Sequence, residues 1–247
     1  MAELAGEGPA FYATGRRGLA RDLRALLHPP YTAWHLSYVV LGAMVAPRIN
    51  WTTLAATILA FFLAVGICAH ALDELRGRPL GTEIPSGVLV AAAAIGLAGA
   101  VALGIAGVAR VGPGLVAFIA VGAVVVLAYN LELFHGLIHT DLGFALGWGA
   151  FPVLTSAYAQ CHSLSISAVV LGAAAALQSA AQRALSTPVR ALRRRTSSVE
   201  GEVTLVDGSV KPIDRTFLLG PSEQALRLLS WSIMVLAIAF VLFRQGH

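Results

Sequence analysis

The chain has 247 residues, a net charge of +4, 57% hydrophobic residues and only 12% charged ones, with a mean hydropathy of +0.76. A soluble domain carries roughly 25% charged residues, so there is too little charge here to coat a water-facing surface. The basic residues flank apolar blocks and form no nucleic-acid module, so nucleic acid is not an expected partner.

The apolar residues run in long blocks, not in the short alternating strands of a membrane barrel. Lipid admits only helices and closed barrels, because every backbone polar group must be satisfied internally. The expected fold is all-α: a polytopic membrane bundle of about seven transmembrane helices. Cys68 and Cys161 fall in or beside apolar blocks and form neither a disulfide framework nor a CxxC pair.

In chain order, residues 1–15 are polar and do not read as a cleavable signal peptide. Arg16 to Leu27 has amphipathic spacing and predicts an interfacial helix, so residues 1–30 form a cytoplasmic N-terminal segment. Spans are expected at 32–47, 52–71, 86–108, 113–131, 142–160, 163–182 and 224–243, each near the roughly 20 apolar residues needed to cross. The first six make a core over 31–182. The Gly/Ala-rich run 87–108 predicts a span packed inside the bundle, and such small residues also permit close contact within a protomer or between protomers of a homo-oligomer. Residues 183–222 are polar and carry the run RALRRR, then Val206-Asp207-Gly208-Ser209, which reads as a hairpin turn between short strands. This segment is either a cap over the cytoplasmic face or a linker whose arginines meet anionic headgroups. Residues 223–247 hold the seventh span and the C-terminus.

Placing the N-terminus in the cytoplasm leaves only Arg48, Arg110 and Arg244 of the 17 basic residues outside, with the C-terminus also outside. That asymmetry is what the positive-inside rule expects.

Ionisable side chains beside spans are costly and are functional candidates by default. They collect in two places, both predicted on the cytoplasmic side. After the second span come His70, Asp73 and Glu74, which share a face if the helix continues, followed by Arg76 and Arg78. After the fourth span come Tyr129, Asn130, Glu132, His135, His139 and Asp141, with Glu132, His135 and His139 on one helical stripe. Metal ligation is expected from His70, Asp73, Glu74, Glu132, His135 and His139: magnesium if oxygen donors dominate, iron or zinc if the histidines join. The plainer reading pairs these groups with Arg76, Arg78 and nearby backbone. His28 is expected at the interface, His35 as a packed residue, His162 on the far side, and His247 at the terminus. Gln178 and Gln182 either face a cavity or make interhelical hydrogen bonds.

Three stretches and the spacing of spans between them carry a family resemblance over roughly residues 29–183: HPPYTAWHLSYVVLGAMVAP, GICAHALDELRGRPLGTEIPSG and LAYNLELFHGLIHTDLGFALGWGAFPVL. The chain resembles the UbiA superfamily of intramembrane aromatic prenyltransferases and related terpene cyclases. That resemblance implies an enzyme acting on an isoprenoid or similar long lipid at a divalent-metal site. Asp73, Glu74, Glu132 and Tyr129 would be catalytic, and Arg76, Arg78, Asn130 and Gln178 would bind substrate. The chain departs from the family at the first aspartate-rich motif, where Ala69 and His70 stand at the Asn and first Asp and only Asp73 matches. The second aspartate-rich motif is missing from 183–222. Two other readings follow: an iron or zinc lipid-modifying enzyme on the same scaffold, and a non-catalytic lipid-binding or scaffold member.

Overall fold

The computed structural model describes residues 8–13 and 18–246, so Arg16, Arg17 and His247 lie outside the described residues. The described chain is mainly helical: α1 (Leu19–Leu27), α2 (Pro29–Met44), α3 (Trp51–Leu75), α4 (Ser86–Val111), α5 (Leu115–Asn130), α6 (Asp141–Cys161), α7 (Ile166–Arg194) and α8 (Arg215–Gln245). Each of the seven helices from α2 to α8 lies at a predicted span. Four of them, α3, α4, α6 and α8, are long and apolar enough to cross a membrane.

Local chemistry places the helix starts. Asn50, Thr140, Ser165 and Asp214 each accept a hydrogen bond from the backbone N–H three residues on, capping α3, α6, α7 and α8. Pro29 opens α2, where a missing N–H costs nothing, and His28 before it is left-handed at φ 45°. Both α3 and α6 contain a π-helical stretch, at Phe62–Ala69 and Ala145–Ala150. Such stretches rotate the residues after them and are frequent at functional sites.

Helix α2 is the hub. Trp34 and Tyr38 are fully buried against Val153 of α6, Ala175 of α7 and Ile233 of α8. Trp34 Nε1 donates to Tyr38 Oη at 2.6 Å, and Tyr38 Oη donates to Gln178 Oε1. Backbones approach closely where a glycine permits it: a Cβ on Gly149 would lie 2.5 Å from the Ala175 carbonyl oxygen, and one on Gly42 would overlap that of Val153. The outer faces are apolar, with Ile95 at 70%, Ile166 at 85% and Trp231 at 66% exposure. Water is a poor solvent for such a girdle and hydrocarbon a good one.

Two expectations are corrected. The Gly/Ala-rich helix α4 is not interior: only Leu89, Ala93, Gly96 and Val111 are buried. Its small residues serve one contact face, where Gly96 meets the backbone of Leu63 and Cys68 in α3, and the rest points outward. The polar segment predicted from 183 is helical to Arg194, and α8 starts at Arg215, so the non-helical part is shorter than expected. The hairpin is present as β1 (Glu202–Thr204) and β2 (Val210–Pro212), antiparallel with Val203 opposite Lys211. Its turn has Gly208 at φ 81° and Asp207 accepting from the Ser209 N–H and hydroxyl.

Candidate functional site

At the arginine-rich end of the bundle lies a cavity of about 860 Å3. The start of α2 contributes His28, Tyr31 and His35, and the end of α3 contributes His70 and Asp73. Tyr129 and Asn130 come from the end of α5, and Trp148 from α6. The opposing wall is the extension of α7, where Arg183, Thr187, Arg190 and Arg194 recur at helical spacing on one face. Residues Pro9 to Tyr12 close one side, held by hydrogen bonds from Arg193 to the Gly8 carbonyl and from Arg194 to the Pro9 carbonyl.

The aromatic side is ordered by stacking and hydrogen bonds. His139 stacks on Tyr129 at 4.4 Å, and its Nδ1 lies 2.9 Å from the Tyr129 carbonyl oxygen. Arg183 donates to the Tyr129 hydroxyl and to Asp141, and its guanidinium lies 5.4 Å from the Phe144 ring centroid. His35 Nδ1 meets the Trp148 carbonyl at 2.9 Å. His28 meets His70 edge to face at 4.2 Å. Burial holds His28 neutral, with its pKa well below the ordinary value, and electrostatic interaction with His70, Arg194 and Arg190 pushes the same way.

On the far side of Trp148 is a second, apolar cavity of about 370 Å3 between α3, α4, α5 and α6, with Ala60, Leu97, Val101, Phe118 and Phe151 in its walls. Trp148 lines both spaces. A charged compartment thus adjoins a greasy one, the arrangement an amphiphile requires.

No family model, no curated protein and no solved structure matches this chain.

The sequence candidates part company here. His70, Asp73, Arg76, Tyr129, Asn130, Glu132 and His139 line the cavity; Glu74, Arg78, His135 and Gln178 do not. Glu74 is completely buried and accepts from Leu80 N, Thr82 N and Thr82 Oγ1 at 2.8–3.0 Å, which anchors the loop after α3. Arg78 donates to the Ile84 carbonyl and the Ser86 hydroxyl in that same loop. Gln178 serves Tyr38 in the core. The stripe Glu132–His135–His139 is not helical: α5 ends at Asn130, and Glu132, Phe134 and His135 take φ of 49°, 56° and 57°. The reversal leaves His135 exposed and outside the cavity, and Glu132 is turned into an exposed ion pair with Arg76 at 3.0 Å.

These residues do not fit a protein-held divalent metal. Among the described residues, no three His, Cys, Asp or Glu side chains converge as ligands. Of the carboxylates, Glu74 is saturated by the loop and Glu132 is paired, which leaves Asp73 facing the cavity.

Sequence reasoning missed His28, Tyr31, Arg183, Arg190 and Arg194 as site residues. The signal was available in the spacing four, three, four of Arg183, Thr187, Arg190 and Arg194, a helical stripe that runs through Pro188.

Proposed function

We propose that the chain is a multi-pass membrane protein, with its N-terminus in the cytoplasm and its C-terminus outside, that takes an isoprenoid or other long-chain lipid with an acidic head group. The head enters the arginine-lined cavity and the tail lies in the apolar one. The observation that carries this reading is the junction of the two spaces at Trp148. The excess of arginines at the cavity end supports the orientation, and the resemblance to the UbiA superfamily supports the isoprenoid class. As an enzyme, the chain has Asp73 and His70 as the groups placed to move a proton at a bound head, while Arg190 and Arg194 offset its charge.

The test is mass spectrometry of lipids co-purified with the full chain, wild type beside Arg190→Gln. An acidic polyisoprenoid or other long-chain acidic lipid, depleted in the variant, is expected. A lipid content equal to that of the surrounding membrane, unchanged by the substitution, would overturn the reading.

A second reading, a lipid-binding member without catalysis, is favoured by the isolation of Asp73 as the one unpaired carboxylate in the cavity among the described residues. Retained lipid with no turnover, unchanged in Asp73→Asn, would select it.

A further inference from the structure

The charges around the cavity describe what its occupant must bring. Five arginines line it: Arg76, Arg183, Arg190, Arg194 and Arg195. Arg76 is paired with Glu132, and Arg183 with Asp141. Among the described residues, Arg190 donates only to the neutral hydroxyls of Ser186 and Thr187, and Arg194 only to a backbone carbonyl. Arg195 has no carboxylate partner among the described residues either, and Asp73, when ionised, offsets one of these three cations, so about two positive charges stand unbalanced among the described residues. Arg190 also bears the repulsion of both Arg194 and Arg183. Like charges crowded into a partly desolvated space are unfavourable until an anion joins them.

A bridging divalent cation would aggravate that crowding, and the carboxylates needed to hold one are committed elsewhere. Glu74 is saturated, and Glu132 is paired with Arg76. A phosphate monoester carries about 1.5–2 negative charges near neutral pH and presents three acceptor oxygens, which matches two guanidinium groups whose hydrogen bonds among the described residues go only to neutral acceptors. A diphosphate brings more charge than these cations balance, and in metal-dependent sites that excess is taken up by magnesium.

We infer that the cavity holds a lipid phosphate monoester directly through Arg190 and Arg194, without a divalent metal, its alkyl chain passing Trp148 into the apolar cavity. This rests on the lipid-binding reading above and narrows it. Gln182 also lines the cavity, buried, with an amide oxygen that has no hydrogen-bond partner.

The experiment measures equilibrium binding to the full chain in nanodiscs. The probes are farnesyl phosphate, farnesyl diphosphate, farnesol and inorganic phosphate, each with magnesium or with EDTA. Farnesyl phosphate is expected to bind equally in both conditions. Farnesol and inorganic phosphate each lack half of the match and should bind at least about tenfold more weakly. Arg190→Gln should weaken farnesyl phosphate by about tenfold, with partial rescue in Arg190→Lys. Arg190 braces only its own helix, so its loss should leave thermal unfolding unchanged; Arg194→Gln provides a second, independent variant. Magnesium-dependent binding, or a preference for the diphosphate when magnesium is present, would overturn the inference while leaving lipid binding intact. Inorganic phosphate binding as tightly as farnesyl phosphate would reassign the site to a soluble phosphate. Failure of all four probes on folded protein would remove the lipid-binding reading as well.

Discussion

The ring of His28 meets the ring of His70 edge to face, with centroids 4.2 Å apart, and joins the turn before α2 to the end of α3. Both belong to the cavity wall, and Tyr12 meets His28 from the other side at 5.1 Å. Burial, then His70, Arg194, Arg190 and His35, keep His28 neutral when folded. The unfolded chain takes up that proton near pH 6.5 and the folded chain does not. The stability His28 contributes is therefore complete above about pH 6.5 and is lost as pH falls below it, by about 1.4 kcal/mol per pH unit. Thermal unfolding between pH 8 and pH 5 should show this slope, and His28→Asn, a residue that tolerates left-handed backbone, should reduce it. An identical slope in the variant would show that His28 takes up its proton as readily in the folded chain as in the unfolded one.

Glu74 and Asp73 are neighbours with opposite duties, and substitution should separate them. Glu74→Ala leaves the N–H groups of Leu80 and Thr82 buried without an acceptor, a loss of about 3 kcal/mol or more. Asp73→Asn removes a charge that faces the arginines and supports no backbone. Glu74→Ala should lower the melting temperature markedly. Asp73→Asn should leave it nearly unchanged and alter turnover, or anion affinity, instead. Equal melting temperatures for the two would contradict this division.

This contrast shows what one-dimensional spacing can carry. The helices from α2 to α8 were legible because a lipid-facing helix needs an unbroken apolar run, and no other local pattern produces one. His70 and Asp73, which follow the apolar run directly, line the cavity, and Glu74 beside them does not. Which of them face it was not legible: Glu74 turns away because a loop six to eight residues later supplies its donors. The helical stripe expected from Glu132 to His139 failed for a similar reason. Left-handed backbone at Glu132, Phe134 and His135 redirects the chain, and none of these residue types announces it as glycine would. Arg190 and Arg194 were assigned to a polar segment, either a cap or a linker meeting headgroups, because charge was taken to end a span, whereas α7 continues past the apolar part and carries its arginines into the cavity wall.

Arg193 and Glu223 form a bidentate pair between α7 and α8, with both side chains 10% exposed. Removing Arg193 strands the Glu223 carboxylate in a buried setting, which costs about 3–5 kcal/mol. Arg193→Ala should therefore destabilise the protein far more than the double substitution Arg193→Met, Glu223→Leu, which removes both charges and restores apolar packing near Val189 and Leu226. Chemical or thermal unfolding of the two variants in the same detergent is the measurement. A double variant no more stable than the single one would mean that Arg193 acts chiefly by holding the Gly8 carbonyl.

That Gly8 contact leads to the wall formed by residues 8–13. Ala10 and Ala13 pack with Ala25 and Leu80, Phe11 lies under Arg227 at 4.9 Å, and Tyr12 abuts His28 and Tyr31. The segment lines the charged cavity and not the apolar one, so it closes the head-group end and not the tail end. Each aromatic contact contributes about 0.5–1.5 kcal/mol, and a ligand enclosed by them leaves more slowly by the corresponding factor. Replacing both Phe11 and Tyr12 with Ala should speed release of bound farnesyl phosphate by roughly tenfold or more, and change its association less. Stopped-flow displacement by excess ligand measures both rates. If dissociation is unchanged, the head group leaves by another route, and residues 8–13 serve only to pack α1 against the loop after α3.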